Sequence, residues 1–295
     1  MKFGVMVPHW GESSSPEAIL KVAQEAETLG FDSLWLGDHV SVPLADDTAA
    51  RDRFYEMVTT LGYLVGVTSR IKLGTGVMIL PYRHPVFVAS AVATAHELSG
   101  GRIIFGGASG WMKLEFSALG VPFKARGART DEYIEVIKHL WTNPRPQSFH
   151  GSYVDFDNIK FSPELYPGEI PPMWIGGNSR AAASRAVDMG DAWFPLHLSV
   201  GNFERRLAYL FELCEQRGRE GSPLVAMGSS IDFSPADGVA QAGFQGAVPE
   251  VLELIGCYRD LGLDYLILDF PRQSLEKFVE SLAQFAEQMI PAFRS

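Results

Sequence analysis

The stretch MWIGGNSRAAASRAVDMGDAWFP, residues 173–195, decides the fold. Met173 to Ile175 is a short apolar strand. Gly176 and Gly177 turn the chain, Ser179 opens a helix, and Ala192 to Pro195 is the next strand. Two continuous apolar strands joined through a helix are the mark of a parallel sheet buried on both faces.

The same unit recurs outward in both directions. Toward the N-terminus, Phe3 to Val7 is strand 1, and Ser15-Pro16-Glu17 starts a helix that Gly30 closes. Ser33 to Leu36 is strand 2, followed by a helix over roughly Arg51 to Val67 with Phe54, Met57, Leu61 and Leu64 on one face. Ile71 to Leu80 contains strand 3, Pro85 to Leu98 is a helix, and Ile103 to Gly106 is strand 4. Thr130-Asp131-Glu132 starts the helix before strand 5. Toward the C-terminus come a helix from about Asn202 to Arg217, strand 7 within Leu224 to Phe233, a helix from Pro249 to Leu261, strand 8 over Tyr265 to Phe270, and a helix from Ser274 to Met289. Eight such units predict a (β/α)8 TIM barrel formed as one domain over residues 1–295, because closure removes both sheet edges. A doubly wound open sheet is the architectural alternative. Two connections, 110–129 and 142–172, are too long for plain turns and read as insertion loops; 149–161 alternates aromatic and polar residues as a hairpin does.

Bulk properties narrow the function. The chain has 295 residues, 46% of them hydrophobic and 20% charged, with a net charge of −10. Nucleic acid and anionic membranes select basic faces, so neither is expected as a partner. No apolar run approaches a membrane span and the N-terminal residues lack the apolar core of a signal peptide, which points to the cytoplasm. Cys214 and Cys257 lie in helical patterns beside apolar neighbours and read as buried free thiols.

In a barrel of this kind the site forms at the C-terminal strand ends. That rule selects Trp10 after strand 1, Asp38 and His39 after strand 2, Gly76 and Val77 at strand 3, Ser109, Gly110 and Trp111 after strand 4, Gly176, Gly177 and Asn178 after strand 5, His197 after strand 6 and Arg272 after strand 8. The diglycine before a helix N-terminus suits a phosphate, because free N–H groups and the helix dipole favour an anion there; a tight βα turn explains it equally well. Asp38 and His39 can exchange a proton near neutral pH, or they simply cap the loop before Pro43. Trp10 and Trp111 can wall a flat ligand, or belong to the core. No His-x-His pair follows strand 1, so a barrel metallohydrolase is disfavoured and no metal is expected.

Four segments together resemble the bacterial-luciferase-like barrel family. They are Gly37-Asp38-His39-Val40; Gly74-Thr75-Gly76-Val77 with Tyr82-Arg83-His84-Pro85; Ser109-Gly110-Trp111 with Glu115-Phe116-Ala118-Leu119-Gly120; and Trp174-Ile175-Gly176-Gly177-Asn178-Ser179. The resemblance spans nearly the whole chain and lies nearest the oxidoreductases that use the deazaflavin F420; the family also holds monooxygenases that use reduced FMN. It implies a ring-shaped cofactor in the barrel mouth, pressed from behind by a bulge at Gly76-Val77 that is often a non-proline cis peptide. It implies Asp38 and His39 at the reacting edge, Ser109 and Gly110 along the ring or its side chain, and Gly176, Gly177 and Asn178 at the phosphate. Sugar-phosphate dehydrogenases of the family carry a glutamate where Trp111 stands and another near Trp10, so the resemblance implies a small apolar organic substrate in a pocket lined by Trp10, Trp111 and His197. A homodimer is implied by resemblance alone. Three functions fit these residues: F420-dependent hydride transfer, FMN-dependent oxygenation with His39 assisting, and cofactor binding without turnover.

Overall fold

The computed structural model describes residues 1–295 except 12, 42–52, 164, 166–168, 235–242 and 295. Eight parallel strands close on themselves: β1 (Lys2–Met6), β2 (Ser33–Leu36), β3 (Lys72–Thr75), β4 (Ile103–Ala108), β5 (Met173–Gly176), β6 (Ala192–Phe194), β7 (Leu224–Asp232) and β8 (Tyr265–Asp269). Each pairs with its successor, and β8 pairs with β1 through Lys2↔Tyr265 to Val5↔Leu268. Ala192↔Leu224 and Trp193↔Val225 complete the ring between β6 and β7. The expected TIM barrel is therefore present, and the open sheet is excluded.

Aromatic side chains fill the barrel. Trp35, Trp174, Phe194 and Tyr265 are all buried; Trp35 and Trp174 lie 4.8 Å apart between centroids, and each contacts both Phe194 and Tyr265. Small residues opposite make room for them: a Cβ on Gly4 would lie 2.5 Å from Trp35 Nε1. Ser33 Oγ accepts from both Trp35 Nε1 and Tyr265 Oη, which satisfies the two polar atoms such a plug would otherwise strand. A second apolar layer lies between the strands and the surrounding helices.

Serine caps sit where the sequence placed them, with Ser15, Ser179 and Ser274 accepting from Ala18, Ala182 and Lys277 N–H. Several boundaries differ. The helix expected from Arg51 begins at Met57 and runs to Val67, while residues 51 and 52 lie outside the described residues. Residues 53–55 are extended because Tyr55 N–H donates to His9 O, and Arg53 O accepts from Gly11 N–H. Phe54 thus leaves the predicted helix face and bridges to Trp10 instead. The helix expected from Thr130 starts at Arg126, since Thr130 Oγ1 bonds back to Arg126 O rather than capping. The insertions contain a short helix, Lys113–Ala118, and a hairpin, Gln147–His150 with Asp155–Ile159. A short strand that the sequence did not suggest, Gly243–Gln245, pairs in parallel with the C-terminal end of β7. Cys214 is buried as read, but Cys257 is exposed: Val251, Ile255 and Tyr258 take the inner face of its helix. Among the described residues no helix is long and apolar enough to cross a membrane, and no cluster of three metal-ligating side chains occurs.

Candidate active site

A cavity of about 630 Å³ opens at the C-terminal end of the barrel. Every residue selected from the sequence except Arg272 lines it: Trp10, Asp38, His39, Gly76, Val77, Ser109, Gly110, Trp111, Gly176, Gly177, Asn178 and His197. Its floor is apolar, with Met6, Val77 and Phe194. The Gly76–Val77 peptide is cis, and it interrupts strand 3 between Thr75 and Met78.

The wall over β2 and β3 is built from ionisable side chains. Asp38, 4% exposed, accepts Arg83 Nη1 at 2.7 Å, Arg83 Nη2 at 2.9 Å and Ile79 N–H at 2.8 Å. Arg83 also reaches Glu56 at 2.8 Å. Burial works against the Arg83 charge, but the carboxylates of Asp38 and Glu56 outweigh it and raise its pKa. Both oxygens of Asp38 are thereby committed to holding the 79–83 turn. His39 is placed differently. Its Nδ1 lies 3.0 Å from Glu115 Oε2, and its ring stands edge-on to Phe54 and Trp111. Glu115, fully buried, also accepts from Tyr82 Oη and from the N–H groups of Val40 and Ser41. Burial alone would raise the Glu115 pKa; the His39, Ser41, Val40 and Tyr82 donors reverse that and hold it below the usual range. His9 clips β1 to β2 through Val7 O and the Gly37 backbone, and burial depresses its pKa to about 4.

The wall over β5 and β6 is backbone. Gly177 has φ +125°, a conformation that disfavours a side chain. Its N–H does not face the cavity, as the diglycine reading implied, but donates to Phe194 O to continue the barrel ladder. Asn178 is likewise turned sideways: its amide donates to Leu196 O and accepts Leu196 N–H, each at 2.8 Å. The turn is thus fixed by its own side chain, and the N-terminus of helix Arg180–Met189 opens beside it. Arg126, whose Nη1 donates to Phe123 O, also lines the cavity and brings positive charge to it.

Sequence reasoning missed Glu115, Tyr82, Arg83 and Arg126 as site-building residues. An acid and an arginine among apolar neighbours were the available signals; their partners lie 76 and 45 residues away and could not be read. Trp10, expected as a ring wall, is 8% exposed, stacked on Phe54 and covered by Arg272 at 3.7 Å, so it offers little more than an edge. Trp111 is 65% exposed and offers an open aromatic surface to a ligand.

Comparison with known proteins places this architecture. The profile described as luciferase-like monooxygenase matches residues 1–255. An uncharacterized protein of Mycobacterium tuberculosis (strain H37Rv) is 29% identical over 276 residues, covering 89% of this chain and 93% of its own. F420-dependent glucose-6-phosphate dehydrogenase of Amycolatopsis mediterranei is 26% identical, covering 96% of each chain. FMNH2-dependent dimethylsulfone monooxygenase of Pseudomonas putida is 31% identical, covering 59% of this chain and 47% of its own. Among solved structures, an F420-dependent secondary alcohol dehydrogenase holding an F420–acetone adduct superposes with a TM-score of 0.83 at 19% identity, covering 100% of this chain and 99% of that one.

Proposed function

The chain belongs to the luciferase-like monooxygenase family, and from the cavity described above we propose that it is an F420-dependent oxidoreductase acting on a small apolar organic substrate. The observation that carries this reading is one cavity lined by an apolar floor, the His39 imidazole, a helix N-terminus and Arg126. A volume of about 630 Å³ falls within the range of small-molecule and cofactor sites. The donor set suits a flat ring with an anionic tail. Val77, Met6 and Phe194 would support the ring; Ser109 and Gly110 would border it. The N–H groups at the start of helix Arg180–Met189 and the Arg126 guanidinium would take the phosphate. Gly177 and Asn178 contribute by shaping this turn.

When bound, the deazaflavin supplies hydride transfer. The protein's part is to orient, exclude water and move a proton. His39 faces the cavity and would exchange a proton with the oxygen or nitrogen of the reacting substrate. Asp38 acts through structure, since its oxygens hold Arg83 and the backbone after the cis peptide. Trp111, Leu196 and Phe54 form an apolar mouth, which favours an uncharged substrate over a sugar phosphate. End-to-end similarity to an F420-dependent relative supports the deazaflavin over FMN.

The test is a fluorescence titration of the purified protein with F420 and with FMN. Saturable F420 binding with no FMN binding is the expected outcome; tight FMN binding without F420 binding reassigns the protein to oxygenation. A homodimer is proposed on a separate feature. Helix Met57–Val67 carries no charged residue, and Tyr63, Phe87 and Leu98 are exposed on it and on the adjacent helix Pro85–Leu98. A second copy packed there would cover them, and Phe87→Glu is expected to shift the sedimenting species to monomer.

A further inference from the structure

Glu115 reaches the cavity wall from helix Lys113–Ala118, in the insertion between β4 and the helix beginning at Arg126. A fully buried carboxylate is costly unless each lone pair is used. Here the two oxygens divide their work. Oε1 accepts the Val40 and Ser41 N–H groups, while Oε2 accepts Tyr82 Oη at 2.8 Å and faces His39 Nδ1 at 3.0 Å. All four neighbours must donate, because an ionised carboxylate only accepts. Neutral His39 must therefore carry its proton on Nδ1, which leaves Nε2 as a bare acceptor on the ring that lines the cavity. We propose that Glu115 is a positioning residue that fixes His39 in the Nδ1–H tautomer and so equips its Nε2 to accept a proton from a bound substrate. This rests on the reading of His39 as the proton-exchanging group.

Substitution by glutamine makes a sharp test. The Val40 and Ser41 N–H groups require an oxygen at the Oε1 position, so the new amide nitrogen must occupy the Oε2 position. There it donates to His39 Nδ1 and drives the proton to Nε2. The shape is conserved and the tautomer is reversed. Aspartate does the opposite, keeping the charge and altering the reach.

The experiment is a long-range proton–nitrogen correlation spectrum of the ¹⁵N-histidine-labelled protein without cofactor at pH 8, with His39→Asn assigning the resonance. Wild type and Glu115→Asp are expected to show the proton on Nδ1, and Glu115→Gln to show it on Nε2. A wild-type spectrum with the proton on Nε2, or a Glu115→Gln spectrum like wild type, overturns the proposal. If Glu115→Gln does not fold, the wild-type spectrum alone decides. In turnover, kcat of Glu115→Gln is expected to fall about 100-fold with cofactor Kd little changed, and Glu115→Asp to stay closer to wild type. A purely structural role ranks the two the other way, because glutamine is the isostere. The spectrum needs no cofactor, so failure of the F420 reading and failure of this one are separately visible.

Discussion

The two walls of the cavity use opposite materials. Over β2 and β3, shape is set by charged groups: Arg83 held between Asp38 and Glu56, and Glu115 accepting from His39 and Tyr82. Over β5 and β6, it is set by the backbone at Gly176 and Gly177, by the Asn178–Leu196 clip, and by Trp193 Nε1 and Arg206 Nη1 donating to the Gly177 and Asn178 carbonyls. A wall of paired charges holds only while every partner stays, because a carboxylate stranded in the interior is far costlier than a lost neutral hydrogen bond. A glycine wall tolerates loss of contacts and fails when atoms are added. The first wall should therefore register a lost partner as stability, and the second an added atom as affinity.

That contrast can be broken in four places. Arg83→Met, which strands Asp38, is expected to cost about 3–5 kcal/mol in denaturant unfolding; a loss below about 1 kcal/mol would mean the pair is not buried in solution. Acid should probe the same wall. His9 has a folded pKa of about 4, against 6.5 unfolded, through burial first and then the charges of Arg272 and His39. The unfolded chain then binds the proton first, so stability falls as pH drops from 6.5 to 4, by about 3 kcal/mol in all. Glu115 and Glu56, with depressed pKa values, withdraw their contributions only at lower pH. His9→Gln should flatten the loss between pH 6.5 and 5, and an unchanged slope there would remove His9 from the account. On the glycine wall, a Cβ at residue 176 would lie 2.6 Å from Val77 Cγ1 and push Val77 toward the cavity. Gly176→Ala should weaken cofactor binding about tenfold, roughly 1.4 kcal/mol, with a smaller effect on unfolding. The reverse pattern would show the two walls to be alike. The smallest change is expected for Asn178→Ala, about 1 kcal/mol of stability for the lost Leu196 clip.

The same contrast governs what could be read from the sequence. Glycine and strand–helix alternation are local signals, so the barrel, the cavity-lining positions and the turn at 176–178 were legible. Ion pairs are settled by the fold. His39 was visible as a polar residue at a strand end, but Glu115 lies 76 residues on and became its partner only when the 113–118 helix folded over the mouth. Asp38 was singled out for the same reason as His39, yet Arg83 takes both of its oxygens. The late start of helix Met57–Val67 has a similar cause: residues 53–55 have helical patterning, and pairing with His9 and Gly11 across the mouth overrides it. Trp10 and Trp111 looked alike in sequence; one became packing and the other stayed open to the cavity.

The 176–180 turn and Arg126 are proposed to hold the phosphate of a ring cofactor. This role is tested most directly by comparing Kd for F420 with Kd for its phosphate-free deazaflavin riboside, in wild type and in Arg126→Ala. At least tenfold tighter binding of the phosphate-bearing form, with the difference largely lost in Arg126→Ala, is the result expected from a charge-assisted contact. Equal affinity for the two forms in wild type would contradict it.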